Sequence, residues 1–270
     1  MLSNLHNIVT SHVFKREEKN KINNIIKIID INRKLKIHYP MKNYYNNVVP
    51  LNIYQTWHSK NLPKLMHNAI SKVKFNNPVF TYYLFDDDDC RRFIQNNFDA
   101  QILNAYDSLI PGAYKADLWR YCILYKNGGV YLDVKYLPVN NFKFINLTES
   151  EHWVLDADKN GIYNALIVSK PNNPILFAAI NKIVENVKNK FYGNGCLDPT
   201  GPGLLSQFFS SEDKSNFDMH HDFYKNYDNR YIYFNNYIIL KSYKGYIDEH
   251  NHHKRVEYYG NLWQNRQIYK

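Results

Sequence analysis

The chain has 270 residues, with 34 Lys and Arg against 25 Asp and Glu, a formal net charge of +9. This length predicts one domain, or one domain with an appendage, and is sufficient to bury a sizeable core. The basic residues are dispersed, which argues against nucleic acid as a partner and fits a phosphorylated small molecule, an anionic polymer or simple solubility.

Cysteine usage and hydropathy indicate the compartment. Cys90, Cys122 and Cys196 are far apart and lack CxxC spacing, so we predict buried, reduced thiols. No run approaches the roughly eighteen apolar residues of a membrane span, and residues 1–14 are too polar for a signal peptide. We therefore expect a soluble, cytoplasmic protein without a membrane span, a viral protein made inside a host cell being one case.

Residues 1–47 are predicted to form a helical appendage and linker, and residues 48–270 the main domain. Within residues 16–36, charges alternate with isoleucines at the spacing of an amphipathic helix or two. We favour a helix packed on the main domain over one that binds a partner or a membrane surface.

Apolar and β-branched runs define the first part of the main domain. They predict a strand, a helix, a second strand and a short helix with a turn, at Val48–Thr56, Pro63–Lys74, Phe80–Phe85 and Ala105–Gly112. The aromatic Trp57 follows the first strand directly.

Four consecutive acidic residues, Asp86 to Asp89, contain a literal Asp-x-Asp that is able to bind a divalent cation. They lie between a predicted strand and a segment with helical apolar periodicity. We therefore interpret them as the N-cap and the favourable charge of a helix N-terminus.

The central stretch, residues 115–138, combines a helix, a stop and a strand. Asp117 and Arg120 lie three residues apart on an otherwise apolar helix and so share one face. Asn127-Gly128-Gly129 ends this helix, and the short strand 130–132 delivers Asp133 at its carboxyl end. Open α/β sheets bind ligands at such an edge.

The later segments predict further strands and one helix. Residues 153–158 and 162–169 are predicted strands around a Lys-Asn-Gly turn. Pro174–Phe191 is a predicted amphipathic helix, and Tyr231–Leu240 is predicted to form one or two strands.

The run ADLWRYCILYKNGGVYLD, residues 116–133, resembles the core motif of the DXD-containing sugar transferases. These are the family-32 glycosyltransferases and, more distantly, the clostridial glucosylating toxins. The resemblance implies a GT-A-like, Rossmann-like α/β fold with a mixed central sheet flanked by helices. It also implies transfer of a sugar from a UDP- or GDP-linked donor to a glycan or other acceptor, with retention of configuration and with Mn²⁺ or Mg²⁺.

The resemblance assigns donor-binding roles to residues of this chain. Trp57 would stack on the nucleotide base, and Asp117 and Arg120 would bind sugar hydroxyls, ribose or phosphate. Asp133 would contact ribose, sugar hydroxyls or the metal, and Asn164 would lie near the sugar. The alternatives are an ordinary core Trp57, a helix-surface Asp117–Arg120 ion pair and an Asn164 amide that closes a turn.

The carboxyl-terminal part supplies three more matches. Thr200-Gly201-Pro202 matches a family element that precedes a helix. Asn261 and Trp263 resemble a terminal segment in which a side-chain oxygen reaches the metal and an indole N–H reaches a phosphate.

The motif departs from the family at Lys135, because the Asp-x-Asp is Asp133-Val134-Lys135 here. In one hypothesis, the Lys135 ammonium lies beside the donor diphosphate and partly replaces the metal, so that Lys135 joins Asp117, Arg120 and Asp133 in the chemistry. In another, Lys135 points away, and Asp133, Asn261 and the donor phosphates hold a weakly bound metal. In a third, the protein is a catalytically silent nucleotide-sugar or glycan-binding protein.

Overall fold

Two β-sheets and the helices around them are described over residues 19–20, 23–224 and 229–270 of a computed structural model. The helices are α1 (23–34), α2 (Lys64–Asn76), α3 (Asp87–Asn97), α4 (Ala100–Ser108), α5 (Gly112–Asn127), α6 (Pro174–Lys188), α7 (Pro202–Ser206), α8 (Ser211–Ser215), α9 (Tyr246–His253) and α10 (Tyr259–Gln264), with a 3-10 turn at Phe144–Leu147. The strands are β1 (Asn52–Thr56), β2 (Thr81–Phe85), β3 (Gly129–Leu132), β4 (Tyr136–Pro138), β5 (Val154–Leu155), β6 (Leu166–Ser169), β7 (Met219–Tyr224), β8 (Asn229–Phe234) and β9 (Tyr237–Ser242).

The first sheet has the strand order β2-β1-β3-β6. β1 runs parallel to β2 and β3, whereas β6 pairs antiparallel with β3. Every residue of β3 is buried, as expected for a central strand covered on both faces. Asp133 follows directly, so its carboxylate leaves the sheet at the carboxyl edge of β3.

The second sheet has the order β4-β9-β8-β7-β5, and β7, β8 and β9 form an antiparallel meander. Asn235 and Asn236, both with positive φ, make the turn between β8 and β9, since this conformation suits a tight hairpin. Only residues 133–135 separate β3 in the first sheet from β4 in the second. The Asp133-Val134-Lys135 motif therefore connects the two sheets.

Helix α5 lies in the core and contacts α3, α4, α6, α10 and β3. All residues of 118–124 are buried, which fits a helix that is apolar on most sides. It ends at Gly128, whose φ is +62° and where a Cβ would lie 2.7 Å from Cδ of Pro171. Backbone conformation and packing thus both require glycine at this C-cap.

The described part of the N-terminal region packs on the second sheet. Ile31 of α1 is buried in one cluster with Tyr231, Tyr233 and Ile238, and Lys27 Nζ lies 2.7 Å from Asp222 Oδ1. The boundary between residues 1–47 and 48–270 stays a prediction, and residues 1–18, 21 and 22 of that segment lie outside the described part.

The predicted α/β class is confirmed, with a mixed sheet flanked by helices. The capping interpretation of the acidic run is confirmed as well. Asp86 Oδ1 accepts from Asp89 N at 2.8 Å, and Asp89 Oδ2 accepts from Asp86 N at 3.3 Å, a capping box. In the described ranges, no helix combines the length and apolarity needed to cross a membrane.

The predicted position of one helix and the predicted pairing of two strands are wrong. Helix α4 ends at Ser108 and starts after Asp99, whose side chain accepts from the N–H groups of Gln101 and Ile102, so Ala105–Gly112 spans the end of one helix and the start of the next. The strands predicted at 153–158 and 162–169 shorten to β5 and β6, which lie in different sheets. β6 pairs with β3 and β5 with β7, and the predicted hairpin keeps only the isolated bridges His152–Val168 and Leu155–Ile162.

Candidate active site at the junction of the two sheets

Asp117 and Arg120 form a buried ion pair on α5. They are 7% and 5% exposed, and Arg120 Nη2 lies 3.2 Å from Asp117 Oδ1. The interpretation as a helix-surface ion pair is therefore wrong. An ion pair that is removed from water requires further hydrogen bonds to compensate for lost hydration.

Besides Arg120, polar side chains from two other segments contact the Asp117 carboxylate. Asn164 Nδ2 donates to Oδ1 at 2.9 Å, and Thr200 Oγ1 donates to Oδ2 at 2.7 Å. A Cβ at Gly201 would lie 3.3 Å from Oδ2, so the small residue allows the Thr200 turn to approach this carboxylate. Burial raises the pKa of Asp117, while Arg120, Thr200 and Asn164 act in the opposite direction.

The guanidinium of Arg120 is held by the protein on several sides. Nε donates to the carbonyl of Ala116 at 3.2 Å and Nη1 to the carbonyl of Asn164 at 2.8 Å. Its central carbon lies 4.3 Å from the centroid of the Tyr131 ring, a cation–π contact. Nη1 also lies 3.5 Å from Asp133 Oδ1, so Arg120 connects the two carboxylates.

Asp133 is the most exposed member of this network, with 21% of its side chain accessible. Tyr131 donates its hydroxyl to Oδ1 at 2.7 Å, and Lys135 Nζ contacts Oδ2. Burial raises the pKa of Asp133, but Lys135 and Arg120 outweigh burial and the pKa is lowered. Asp133 is therefore an ionised carboxylate that solvent reaches.

Lys135 is buried beside Asp133 and faces aromatic rings. Its Nζ lies 5.4 Å from the Tyr136 ring centroid and 5.3 Å from that of Tyr163. Burial alone lowers the pKa of Lys135, but the Asp133 carboxylate raises it above its usual range. Lys135 is thus paired with Asp133, and whether its ammonium lies beside a donor diphosphate or points away from it stays a prediction.

A third cation, Arg230 on β8, lies in the same region and was not predicted. Burial lowers the pKa of Arg230, and the surrounding Tyr163, Tyr136, Tyr246 and Asp133 outweigh it and raise the pKa. Its position depends on the pairing of β7, β8 and β9, which no local motif indicates.

A histidine–carboxylate pair adjoins these cations and was also missed. His221 Nδ1 lies 2.9 Å from Asp156 Oδ1, and the imidazole stacks on Tyr163 with centroids 3.8 Å apart. Burial lowers the pKa of His221, against the opposite effect of Asp156. Its Nε2 is buried without a hydrogen-bond partner in the described ranges.

Trp57 directly follows β1. Its ring shares one hydrophobic cluster with Val134 and Tyr243, which places it next to the Asp133–Lys135 connection. It packs against His58 at a centroid distance of 4.5 Å and against the edge of His250 at 5.6 Å. Trp57 Nε1 and His58 Nδ1 are buried without hydrogen-bond partners among the described residues.

The two predicted carboxyl-terminal residues make contacts elsewhere. Trp263 Nε1 donates to the carbonyl of Tyr192 at 2.6 Å, and the exposed Asn261 donates its amide to Glu257 at 3.0 Å. Their predicted contacts with a phosphate and a metal stay predictions. The predicted burial of the cysteines holds for Cys90 and Cys122, whereas Cys196 is only half-buried; all three are free thiols.

Solvent reaches the network at Asp133. Two surface cavities of about 260 and 560 Å³ lie elsewhere, since neither is lined by Asp117, Arg120, Asp133 or Lys135.

Residues 63–168, which contain this network apart from Thr200, Arg230 and His221, match the family described as glycosyltransferase sugar-binding region containing DXD motif. The resemblance to the DXD-containing sugar transferases is confirmed. The matched region includes Asp117, Arg120, Asp133 and Asn164.

Several curated proteins are similar to the chain. Inositol phosphoceramide mannosyltransferase 3 of Schizosaccharomyces pombe is 29% identical over 165 residues, 60% of this chain and 45% of the relative. The initiation-specific alpha-1,6-mannosyltransferase of Candida albicans is 32% identical over 201 residues, 58% of this chain and 51% of the relative. An uncharacterized glycosyltransferase of Acanthamoeba polyphaga mimivirus is 29% identical over 136 residues, 47% and 53% of the two chains. The chain spans about half the length of the curated relatives it matches.

Solved structures with some likeness are glycosyltransferase domains of toxins. The PaToxG glycosyltransferase has a TM-score of 0.48 and 18% identity, covering 59% of this chain and 67% of its own. The UDP-bound glycosyltransferase domain of the YGT toxin has a TM-score of 0.36 and 12% identity, covering 64% and 67%.

Proposed function

We propose that the chain is a glycosyltransferase that moves a hexose from a nucleotide diphosphate sugar to a glycan or other acceptor. The observation that carries the proposal is the ionised Asp133 carboxylate, which solvent reaches at one end of a buried network of charged groups. Such a carboxylate is able to accept hydrogen bonds from sugar hydroxyls while neighbouring cations attract a diphosphate. The match of residues 63–168 to a sugar-binding region supports the same conclusion.

The reaction breaks the bond between the anomeric carbon and an oxygen of the β-phosphate, and the electron pair leaves with the diphosphate. Catalysis therefore requires positive charge at the oxygen that becomes negative. Lys135 and Arg230 are the cations beside Asp133 that suit this task. The Asp133 carboxylate stabilises the positive charge that develops at the sugar. The acceptor hydroxyl oxygen would bond to the anomeric carbon from the same face that the diphosphate leaves, and its proton would pass to the leaving phosphate. This course of attack would retain the configuration.

Trp57 and His58 are our candidates for the nucleotide end of the donor. Indole rings bind bases through stacking and burial. Polar atoms of a base or ribose would give hydrogen-bond partners to Nε1 of Trp57 and Nδ1 of His58, which have none among the described residues. Since Trp57 packs in one cluster with Val134, the base and the diphosphate would occupy adjacent sites.

The choice of sugar follows from the names of the relatives. Two of the similar proteins are mannosyltransferases, so we propose mannose as the first sugar to test. The nucleotide would be GDP or UDP, and the acceptor a glycan or another hydroxyl-bearing molecule.

The experiment is a donor screen with the purified chain. GDP-mannose, UDP-glucose and UDP-N-acetylglucosamine are incubated with the protein, and release of nucleotide diphosphate is measured together with the anomeric configuration of the product by NMR. We expect turnover with at least one donor. Asp133→Asn should lower kcat/KM by ~10- to 100-fold, because charge-assisted hydrogen bonds contribute ~1.5–3 kcal/mol.

Asp88→Asn is the matched control. Asp88 also belongs to a literal Asp-x-Asp, formed with Asp86, but it is exposed in the first turn of α3. It should leave kcat/KM unchanged. Equal losses in the two variants would remove the assignment of Asp133.

A catalytically silent nucleotide-sugar binder is the second candidate, and the ion pair between Lys135 and Asp133 favours it. A donor that raises the melting temperature without turnover would support this candidate. If no donor binds and no donor is turned over, both the transferase and the silent binder are contradicted.

A further inference from the structure

We propose that Lys135 Nζ is a built-in replacement for the divalent cation of the sugar transferases, so that this chain binds a nucleotide diphosphate without metal. This inference rests on the proposed function and concerns the diphosphate end of the same site. It takes up one of the hypotheses that the sequence leaves open.

The Asp133 carboxylate does not fit a metal ion in this arrangement. Oδ2 is contacted by the Lys135 ammonium, and Oδ1 accepts from Tyr131 and lies 3.5 Å from the Arg120 guanidinium. A divalent cation at either oxygen would lie next to a positive charge that is already paired there. Mg²⁺ requires a near-octahedral shell of oxygen atoms, which one or two carboxylates, substrate phosphates and waters usually supply, and here both oxygens of Asp133 are already engaged by cations or a hydroxyl.

Among the described residues, the surroundings supply no alternative set of side-chain ligands. Over residues 19–20, 23–224 and 229–270, no group of three or more His, Cys, Asp or Glu side chains could hold a metal ion. The acidic run at Asp86–Asp89 is used in helix capping and in ion pairs of Asp89 with Lys60 and Arg92. Asn261, the other predicted metal ligand, bonds to Glu257.

Lys135 is held in place before any ligand binds. Its backbone carbonyl accepts from Tyr243 N at 2.9 Å, which fixes it to the strand β9 side of the site. Its side chain is 9% exposed and lies between Asp133 and the Tyr136 and Tyr163 rings. A charge that is already oriented requires little reorganisation when an anion arrives.

The ammonium also has the bonding capacity for a phosphate. It carries three N–H donors, and Asp133 accepts one of them. A compact point charge suits phosphate oxygens. Arg230, on the neighbouring β8, adds positive charge to the same region.

Binding measurements on the unmodified chain give the first test. Dissociation constants of UDP and GDP are measured by titration calorimetry in EDTA and in Mn²⁺. We expect the nucleotide that binds to do so in EDTA, with a change of less than ~3-fold on adding Mn²⁺. A nucleotide diphosphate that binds only in Mn²⁺ overturns this inference and leaves the proposed function standing. If neither UDP nor GDP binds in either buffer, both this inference and the proposed function are overturned.

Two variants at position 135 sharpen the result. Lys135→Met removes the charge but keeps an unbranched stem, and should weaken diphosphate binding ~10- to 100-fold in both buffers. Lys135→Asp restores Asp-x-Asp, and should weaken binding in EDTA while Mn²⁺ recovers it. Unchanged diphosphate affinity in Lys135→Met would overturn the inference.

UMP and GMP are the matched probes, because they lack the β-phosphate on which Lys135 is proposed to act. Their affinity should differ by less than ~3-fold between wild type and Lys135→Met. An equal loss for mono- and diphosphates would mean that the substitution disturbs the site as a whole, and would count against the inference. Lys135→Arg, which keeps the charge, should retain diphosphate binding in EDTA. Loss of diphosphate binding in this variant would also count against the inference.

Discussion

The two ends of the charged network differ in how far solvent reaches their carboxylates. At the α5 end, the Asp117 oxygens accept from Asn164 and Thr200, and the Arg120 guanidinium donates to two carbonyls. At the β3 end, the Asp133 side chain is 21% exposed. The sealed end is built to hold a shape, whereas the open end is able to meet a ligand.

This difference changes the role of Arg120 within the proposed function. Its donors serve Ala116, Asn164 and Asp117, and its ring contact is with Tyr131. We therefore propose that Arg120 acts mainly by positioning Asp133. The open end, with Asp133 and Lys135, carries the proposed donor contacts.

The strongest test of the sealed end is Arg120→Met. Removing the guanidinium leaves the Asp117 charge buried without its cation, so we expect a loss of ~3–5 kcal/mol in the free energy of unfolding, measured with urea. The control is Arg92→Met, because the Arg92 side chain is 61% exposed in its pair with Asp89. This variant should lose less than ~1 kcal/mol in the free energy of unfolding. Similar losses in the two variants would mean that the α5 end is not the rigid part of the site.

A smaller effect is expected for Thr200→Val, which removes one hydrogen bond to Asp117 at nearly constant volume. Thr200 is 1% exposed, so the carboxylate oxygen cannot turn to water instead. We expect a loss of ~1–3 kcal/mol by urea unfolding. Thr81→Val, at an exposed position of β2, should stay within ~0.5 kcal/mol. A Thr200→Val variant as stable as wild type would show that Asp117 does not depend on the 200–202 turn.

The sequence predicts the parts of the site that local rules determine. Helix α5 ends at Gly128 and β3 follows because a left-handed C-cap and a β-branched, aromatic run are local signals, and they place Asp117, Arg120 and Asp133 together. The same locality predicts the capping box of Asp86.

Residues that reach the site through long-range pairing could not be predicted in this way. Arg230 and His221 come from β8 and β7, and the register between these strands pairs His221 with Ile232 and Arg230 with Phe223. Such register depends on packing of a whole sheet face. The same limit explains why 153–158 and 162–169 were predicted as one hairpin, since the choice between partners lies in distant strands.

The smallest expected effect, a difference in pH dependence, compares the two carboxylates directly. For Asp133, Lys135 and Arg120 outweigh burial, so its pKa lies below the ordinary 3.8 and its contribution to stability is lost as the pH falls through the lowered pKa. For Asp117, burial outweighs Arg120, so its pKa is raised. The contribution of Asp117 to stability is therefore present below pH 3.8 and is lost as the pH rises through the raised pKa.

The free energy of unfolding is measured with urea between about pH 3 and pH 6 for wild type, Asp133→Asn and Asp117→Asn. Relative to wild type, Asp133→Asn should lose less stability on acidification and Asp117→Asn should lose more. Because the two contributions have opposite sign, a shift in the same direction for both variants would contradict the assignment of a sealed and an open end.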